Sequence, residues 1–316
     1  MAIELLELHY HLIGDSHAMN AVVRNKSEAE ALAVCIYIAA ELGIPLQLES
    51  SVFTKGGLKE IWQFIGKNNV QLSLLISVIV LVFSRVPVSD SAMDALNKEV
   101  AKVTIEEKKL SIEKLKRELN SGYPEQETIS SVAHEFERDL KVATRRSNFY
   151  RGLLDYEKVT AAGFASAQDP QMIPVVENTV QRHDFSKFLL TSDTLPIEVV
   201  EEARIEIVSP VLKEGNYQWK GIYADQAIIF KMLDQVFKTA VLRRDISFQN
   251  GSTIECVLNI YRKFDKIGNV NITGCSVATV LSLSDGVKSQ ETLQGKRYRS
   301  NKRLIAAQGN LFDQIQ

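Results

Sequence analysis

From Ile3 to Ile13 apolar and polar positions alternate. Leu6, Leu8, Tyr10 and Leu12 fall on one side at period two, and Glu7, His9 and His11 on the other. That pattern predicts a half-buried strand. Residues 28–42 are rich in Ala, Glu and Leu, with Leu32, Cys35, Ile36, Ala39 and Ala40 at helical spacing. Ser27 stands where an N-cap belongs, Glu30 completes a capping box, and Gly43 supplies the stop. A short strand, Leu46–Glu49, follows Pro45. Residues 1–66 therefore read as a small β-α-β unit. Within it, Gly56-Gly57 breaks the chain, and Leu58, Ile61, Trp62 and Ile65 mark a short amphipathic helix.

Residues 68–84, NNVQLSLLISVIVLVFS, carry no charge and are bounded by Lys67 and Arg85. As a helix they span about 25 Å at roughly 1.5 Å per residue, short of the about 30 Å of a bilayer core. Three readings stand side by side: a membrane helix, a helix buried inside the protein, and a buried strand. The membrane reading uses Leu72, Leu74, Leu75, Ile76, Val78, Ile79, Val80, Leu81, Val82 and Phe83. It needs Lys67 and Arg85 to snorkel and Trp62 to anchor one interface. Residues 67–88 form this segment.

Residues 89–119 turn abruptly to Glu, Lys, Ala and Leu. Met93, Leu96, Val100, Val103 and Leu110 make one seam. Ile105, Ile112, Leu115 and Leu119 make a second in shifted register, as in a coiled coil whose seam drifts. A further helix covers 127–146, with Val132, Phe136, Leu140 and Ala143 on one face. Residues 89–150 thus read as a helical region suited to self-association, with packing on its own protein as the alternative.

From 151 to 316 the pattern is β-rich. Strands are expected at Val159–Ala167, Val175–Val180, Arg204–Val208, Tyr217–Tyr223 and Ala227–Met232, the last two joined by an Ala224-Asp225 turn. Asp184 is placed to cap a short helix, Phe185–Leu190, and Asp234 to cap Gln235–Leu242. Ile246–Phe248 and Ile254–Tyr261 flank a hairpin turn, and a second turn at Asp265–Asn269 leads to Val270–Leu283. The fold class is α+β: a β-α-β unit, an apolar segment, a coiled-coil-like helical region and a β-rich binding domain.

Composition changes this picture little. The 316 residues hold 37 Lys+Arg against 39 Asp+Glu, a net charge of −2, so any nucleic-acid contact must be a local patch. Mean hydropathy is −0.06, an average that hides the apolar run. Cys35, Cys256 and Cys275 show no CxxC spacing, which fits a reducing compartment better than a disulfide framework. The start MAIELLELHY lacks the basic n-region of a signal peptide. The expected location is the cytoplasm or the cytoplasmic side of the inner membrane.

The strongest polar constellation is Glu7, His9, His11, Asp15 and His17. On a strand His9 and His11 project to one face, as two metal ligands must, and Asp15 or His17 would complete a site from the next loop. The alternative is an ordinary polar strand face. Glu49 and Lys55 do not match the spacing of a metal-nuclease core, and no Walker A, GxGxxG, HExxH or GxSxG motif occurs. His134 and His183 read as structural. Lys296, Arg297, Tyr298, Arg299, Lys302 and Arg303 form a basic cluster suited to nucleic acid, a nucleotide phosphate or anionic lipid. A solvated turn is its alternative. Trp219 and Tyr223 lie on a strand whose face suits core packing better than a ligand platform.

Three stretches carry a resemblance: GDSHAMNAVVRNKSEAE at 14–30, GGLKEIWQFIGKN at 56–68 with the apolar run after it, and YQWKGIYADQAIIF at 217–230. In these the chain resembles a loosely defined group of uncharacterised bacterial proteins, some associated with anti-phage defence. The resemblance implies a defence role and brings no catalytic residues.

The leading expectation is a non-enzymatic, membrane-associated sensor or effector that oligomerises and perturbs a membrane through residues 68–84. A soluble oligomeric protein binding a ligand, nucleic acid or protein partner is the second. The third is a metal-dependent enzyme using His9, His11 and Asp15.

Overall fold

The computed structural model describes all residues except 1, 15–17, 52–57, 88–104, 122–123, 168–175, 191, 287 and 313–316. The chain is an α+β protein and divides into two compact units, Met1–Asp193 with Phe264–Asn269, and Thr194–Lys263 with Val270–Gln316.

In the first unit, β1 (Ala2–Leu12), β2 (Gln47–Ser51), β3 (Leu58–Gly66), β4 (Val159–Ala167) and β5 (Asn178–Gln181) form one sheet in the order β2-β3-β1-β4-β5. Every neighbouring pair is antiparallel. The expected alternation of β1 holds. Leu6, Leu8 and Tyr10 are buried in the main core, and His9 and His11 lie half-buried on the other face. The segment expected as a short helix is instead β3. Its LKEIWQFIG fits both periods, and pairing with β1 on one side and β2 on the other selects the strand. Trp62 and Phe64 then face the core. β4 covers the expected residues but belongs to this sheet, so the β-rich region from 151 onwards serves both units.

Helix α1 (Ala21–Leu42) starts earlier than Ser27. Asn20 is the N-cap, its Oδ1 accepting from the amides of Val22 and Val23 at 2.9 and 3.2 Å. Ser27 is buried inside the helix. Gly43 is the stop, at φ 70°, with its N–H on the Ala40 carbonyl and that of Ile44 on Ala39, as a left-handed C′ residue requires.

The apolar run forms helix α2 (Asn69–Ser84), N-capped by Asn68. Leu72, Leu74, Leu75, Ile76, Val78, Ile79, Val80, Val82 and Phe83 are all buried, and Leu81 packs against the same core. The helix lies against α1, β1, β3, β4 and α4 (Gln126–Glu137). This corrects the membrane reading: these side chains leave water by entering the core of their own unit. Each fully buried Leu, Ile, Val or Phe contributes about 1.5–3 kcal/mol, which needs no bilayer. Among the described residues no helix is long and apolar enough to cross a membrane. The last carbonyls of α2 are also satisfied internally. Arg146 Nη1 donates to Val82 O at 2.8 Å and the Tyr150 hydroxyl to Phe83 O at 2.5 Å.

Helix α3 (Ile105–Ser121) buries Ile112 and Leu115 in the same core and leaves Leu110 exposed. Its described part therefore packs on its own protein. Met93, Leu96, Val100 and Val103 lie outside the described residues. The single helix expected over 127–146 is two, α4 and α5 (Leu140–Leu154), because Asp139 caps a new start, accepting from the amides of Lys141 and Val142. A 3₁₀ turn spans Arg182–Phe188.

The second unit holds β6 (Glu198–Ser209), β7 (Trp219–Tyr223), β8 (Gln226–Met232), α6 (Gln235–Leu242), β9 (Thr253–Phe264), β10 (Val270–Ser284), β11 (Ser289–Glu291) and α7 (Leu293–Phe312). β6 pairs with β7 and β9, β7 with β8, β8 in parallel with β10, and β10 with β9. The five strands close into a barrel, with α6 between the third and fourth in sequence. Ala224 and Asp225 make the expected β7–β8 turn, both at positive φ. Asp234 caps α6 as expected, accepting from the Phe237 amide, and its other oxygen accepts from Val280 N and Gln294 Nε2. Ile246–Phe248 is not a strand, and β9 pairs with β6 instead.

Candidate metal centre

Period-two geometry sets His9 and His11 side by side on the face of β1 away from the helices. Their ring centroids are 3.9 Å apart. The expected partners from the following loop, Asp15 and His17, lie outside the described residues. The third group is one the sequence reading missed. Glu177, just before β5, reaches across the sheet to both histidines. Its Oε1 lies 2.7 Å from His11 Nε2 and 3.2 Å from His9 Nδ1. All three side chains are part-buried, at 33%, 17% and 26% exposure for His11, His9 and Glu177. Among the described residues these three form the one grouping of His, Cys, Asp or Glu able to hold a metal ion. Nothing in the local sequence VVENTV marks Glu177. Only the order of strands brings it to residues 166 and 168 positions away.

The surroundings shift the titration of His9 and Glu177. Burial, and then the neighbouring His11, holds His9 below the usual imidazole range. Burial opposes ionisation of Glu177, yet the hydrogen bond from His11 and the charges of both histidines outweigh it and hold its carboxyl low. Beside them Glu7, with its side chain only 2% exposed, accepts from Lys59 Nζ at 2.6 Å. Lys59 sits directly across from His9 on β3.

The other sequence candidates are dispersed. His134 and His183 are exposed, each near one acidic neighbour on the same segment. Cys35, Cys256 and Cys275 are free and buried, and burial pushes the Cys256 thiol up to about 12, which disfavours the reactive thiolate. Trp219 is 1% exposed and packs with Phe230, Phe237 and Phe248. The basic cluster lies on α7, where Lys296, Arg299, Ser300 and Arg303 line an open recess of about 500 Å³ with Glu291 and Leu304. Two of its five cations are already paired. Arg299 forks between Glu291 and Glu255 at 2.8 and 2.9 Å, and Lys302 and Tyr298 both bond Glu201. Lys296, Arg297 and Arg303 make no ion pair among the described residues.

No family model, no curated protein and no solved structure matches this chain.

Proposed function

We propose that this chain is a metal-dependent protein whose working centre is a divalent transition-metal ion held by His9, His11 and Glu177. The observation that carries this reading is the convergence of one carboxylate oxygen on ring nitrogens of both histidines. Two neutral imidazoles and a carboxylate are a ligand set used for zinc and for non-haem iron(II). Three ligands from one face of a sheet leave coordination positions free for water or substrate. A metal there supplies a Lewis acid and a bound water acidic enough to serve as hydroxide near neutral pH. The membrane-effector reading, by contrast, needs the apolar side chains from Leu72 to Phe83 in a bilayer, and these pack in the core of the first unit.

Elemental analysis of purified full-length protein, with titrations of Zn(II), Co(II) and Mn(II), tests the proposal. One bound ion per chain is expected, with affinity falling more than about 100-fold in His9→Ala and His11→Ala, since even outer partners of metal ligands carry 10–100-fold. Equal metal content in wild type and variants would sink it.

A second reading concerns the second unit. On the outer face of β7 and β8, Lys220 and Lys231 flank exposed Ile222 and Ile229. The strand order, with a helix between the third and fourth strands, is like that of OB-type barrels, and by analogy with them this face is a surface for single-stranded nucleic acid. Fluorescence anisotropy with a labelled oligonucleotide tests it: loss of binding in Lys220→Ala/Lys231→Ala supports it, and no binding by wild type removes it. Self-association through the charged helix and a role in anti-phage defence rest on the sequence pattern alone.

A further inference from the structure

We infer that Gly163 is the positioning residue of this centre: the missing side chain on β4 is what admits the Glu177 carboxylate to the two histidines. As an account of metal coordination this rests on the proposal above. As an account of how Glu177 reaches β1 it does not.

The argument begins with strand order. β4 lies between β5 and β1, with Gly163 directly across from His9 on one side and from Thr179 on the other. Adjacent strands are spaced about 4.8 Å apart, so β5 and β1 are separated by about 10 Å. A side chain starting one residue before β5 must therefore lie flat across β4 to reach β1. It crosses at Gly163. A Cβ built there falls on the Glu177 carboxylate and within 2.9 Å of its Cγ. On the same strand Ala161 and Ala165 stand across from His11 and Glu7, so the gap opens only at the crossing point.

The backbone does not explain this glycine. Gly163 is not among the residues at positive φ, and a glycine inside a strand weakens it relative to alanine. The room it leaves for Glu177 does explain it. The clash an alanine would create is with the far end of a flexible side chain, so Gly163→Ala should turn Glu177 away while the sheet survives.

The experiment is a double-mutant cycle in the full chain on Gly163→Ala and Glu177→Ala, read in two ways. Without metal, thermal unfolding is followed by circular dichroism. Gly163→Ala should lower Tm in the wild-type background and leave it unchanged or higher in the Glu177→Ala background. An equal shift in both backgrounds overturns the inference. With metal, Co(II) is titrated and its visible absorption recorded. Gly163→Ala should weaken binding at least 10-fold, give the Co(II) spectrum of Glu177→Ala, and add nothing when combined with it. A wild-type spectrum and affinity in folded Gly163→Ala also overturns it. If wild type binds no metal, the metal proposal fails, and the Tm cycle still decides the role of Gly163.

Discussion

Two segments of this chain gather ionisable side chains, and the fold treats them oppositely. On α7 six basic or aromatic residues crowd into eight positions. There Arg299 is taken up by Glu291 and Glu255, and Lys302 and Tyr298 by Glu201. On β1 only His9 and His11 stand together, yet they gain Glu177 from far along the chain, beside the enclosed Glu7–Lys59 pair. Density of charge along a sequence therefore says little about a site. What counts is which groups are left facing one another away from water, where electrostatic interactions are less screened.

That contrast can be broken or sharpened by experiment. The largest effect is expected at Lys59→Met. It leaves the Glu7 carboxylate, 2% exposed, without its cation, a loss of about 3–5 kcal/mol for a buried pair. Urea unfolding measures it, and a cost below 1 kcal/mol would mean that this face is no more enclosed than α7. Next comes pH. His9 and Glu177 are both held below their ordinary pKa values, so the folded protein binds fewer protons than the unfolded chain in that range. Stability then rises with pH. On acidification the His9 contribution is lost from about pH 6.5, its unfolded value, and that of Glu177 at lower pH, as its folded value is crossed. His9→Ala should flatten the Tm profile between pH 5 and 7, and an unchanged slope would contradict the assignment. A smaller effect is expected at Arg299→Ala. Its two ion pairs are about one-third exposed, so screening limits the loss to about 0.5–1 kcal/mol. The smallest is Lys302→Ala at an exposed pair, for which no measurable Tm change is expected.

Much of the architecture could be read locally. The alternation of β1, the stop at Gly43, the cap at Asp234, the Ala224-Asp225 turn and the strand Val159–Ala167 each depend on side chains a few residues apart, and each appears as expected. Where local patterns are ambiguous, residues distant along the chain decide the outcome. LKEIWQFIG fits a helix face and a strand equally, and its neighbours on both sides settle it. Asn20 begins α1 ahead of Ser27 because two valines, poor helix formers, hide the true first turn. The run at 68–84 was consistent with helix or strand, bilayer or core, since an apolar run specifies removal from water and not the partner that removes it.

The candidate centre divides along the same line. Sequence alone determined that His9 and His11 share a face, because side chains on a strand repeat every two residues. It also determined the α+β class and most of the elements. Only the tertiary structure decided that β4 and β5 join β1 in one sheet, that Glu177 crosses at Gly163 to complete the cluster, that α2 fills a core, and that two of the five cations of the basic helix pair with carboxylates. Each of these outcomes is a meeting of groups distant along the chain. Such meetings are fixed by strand order and burial, which no local period encodes.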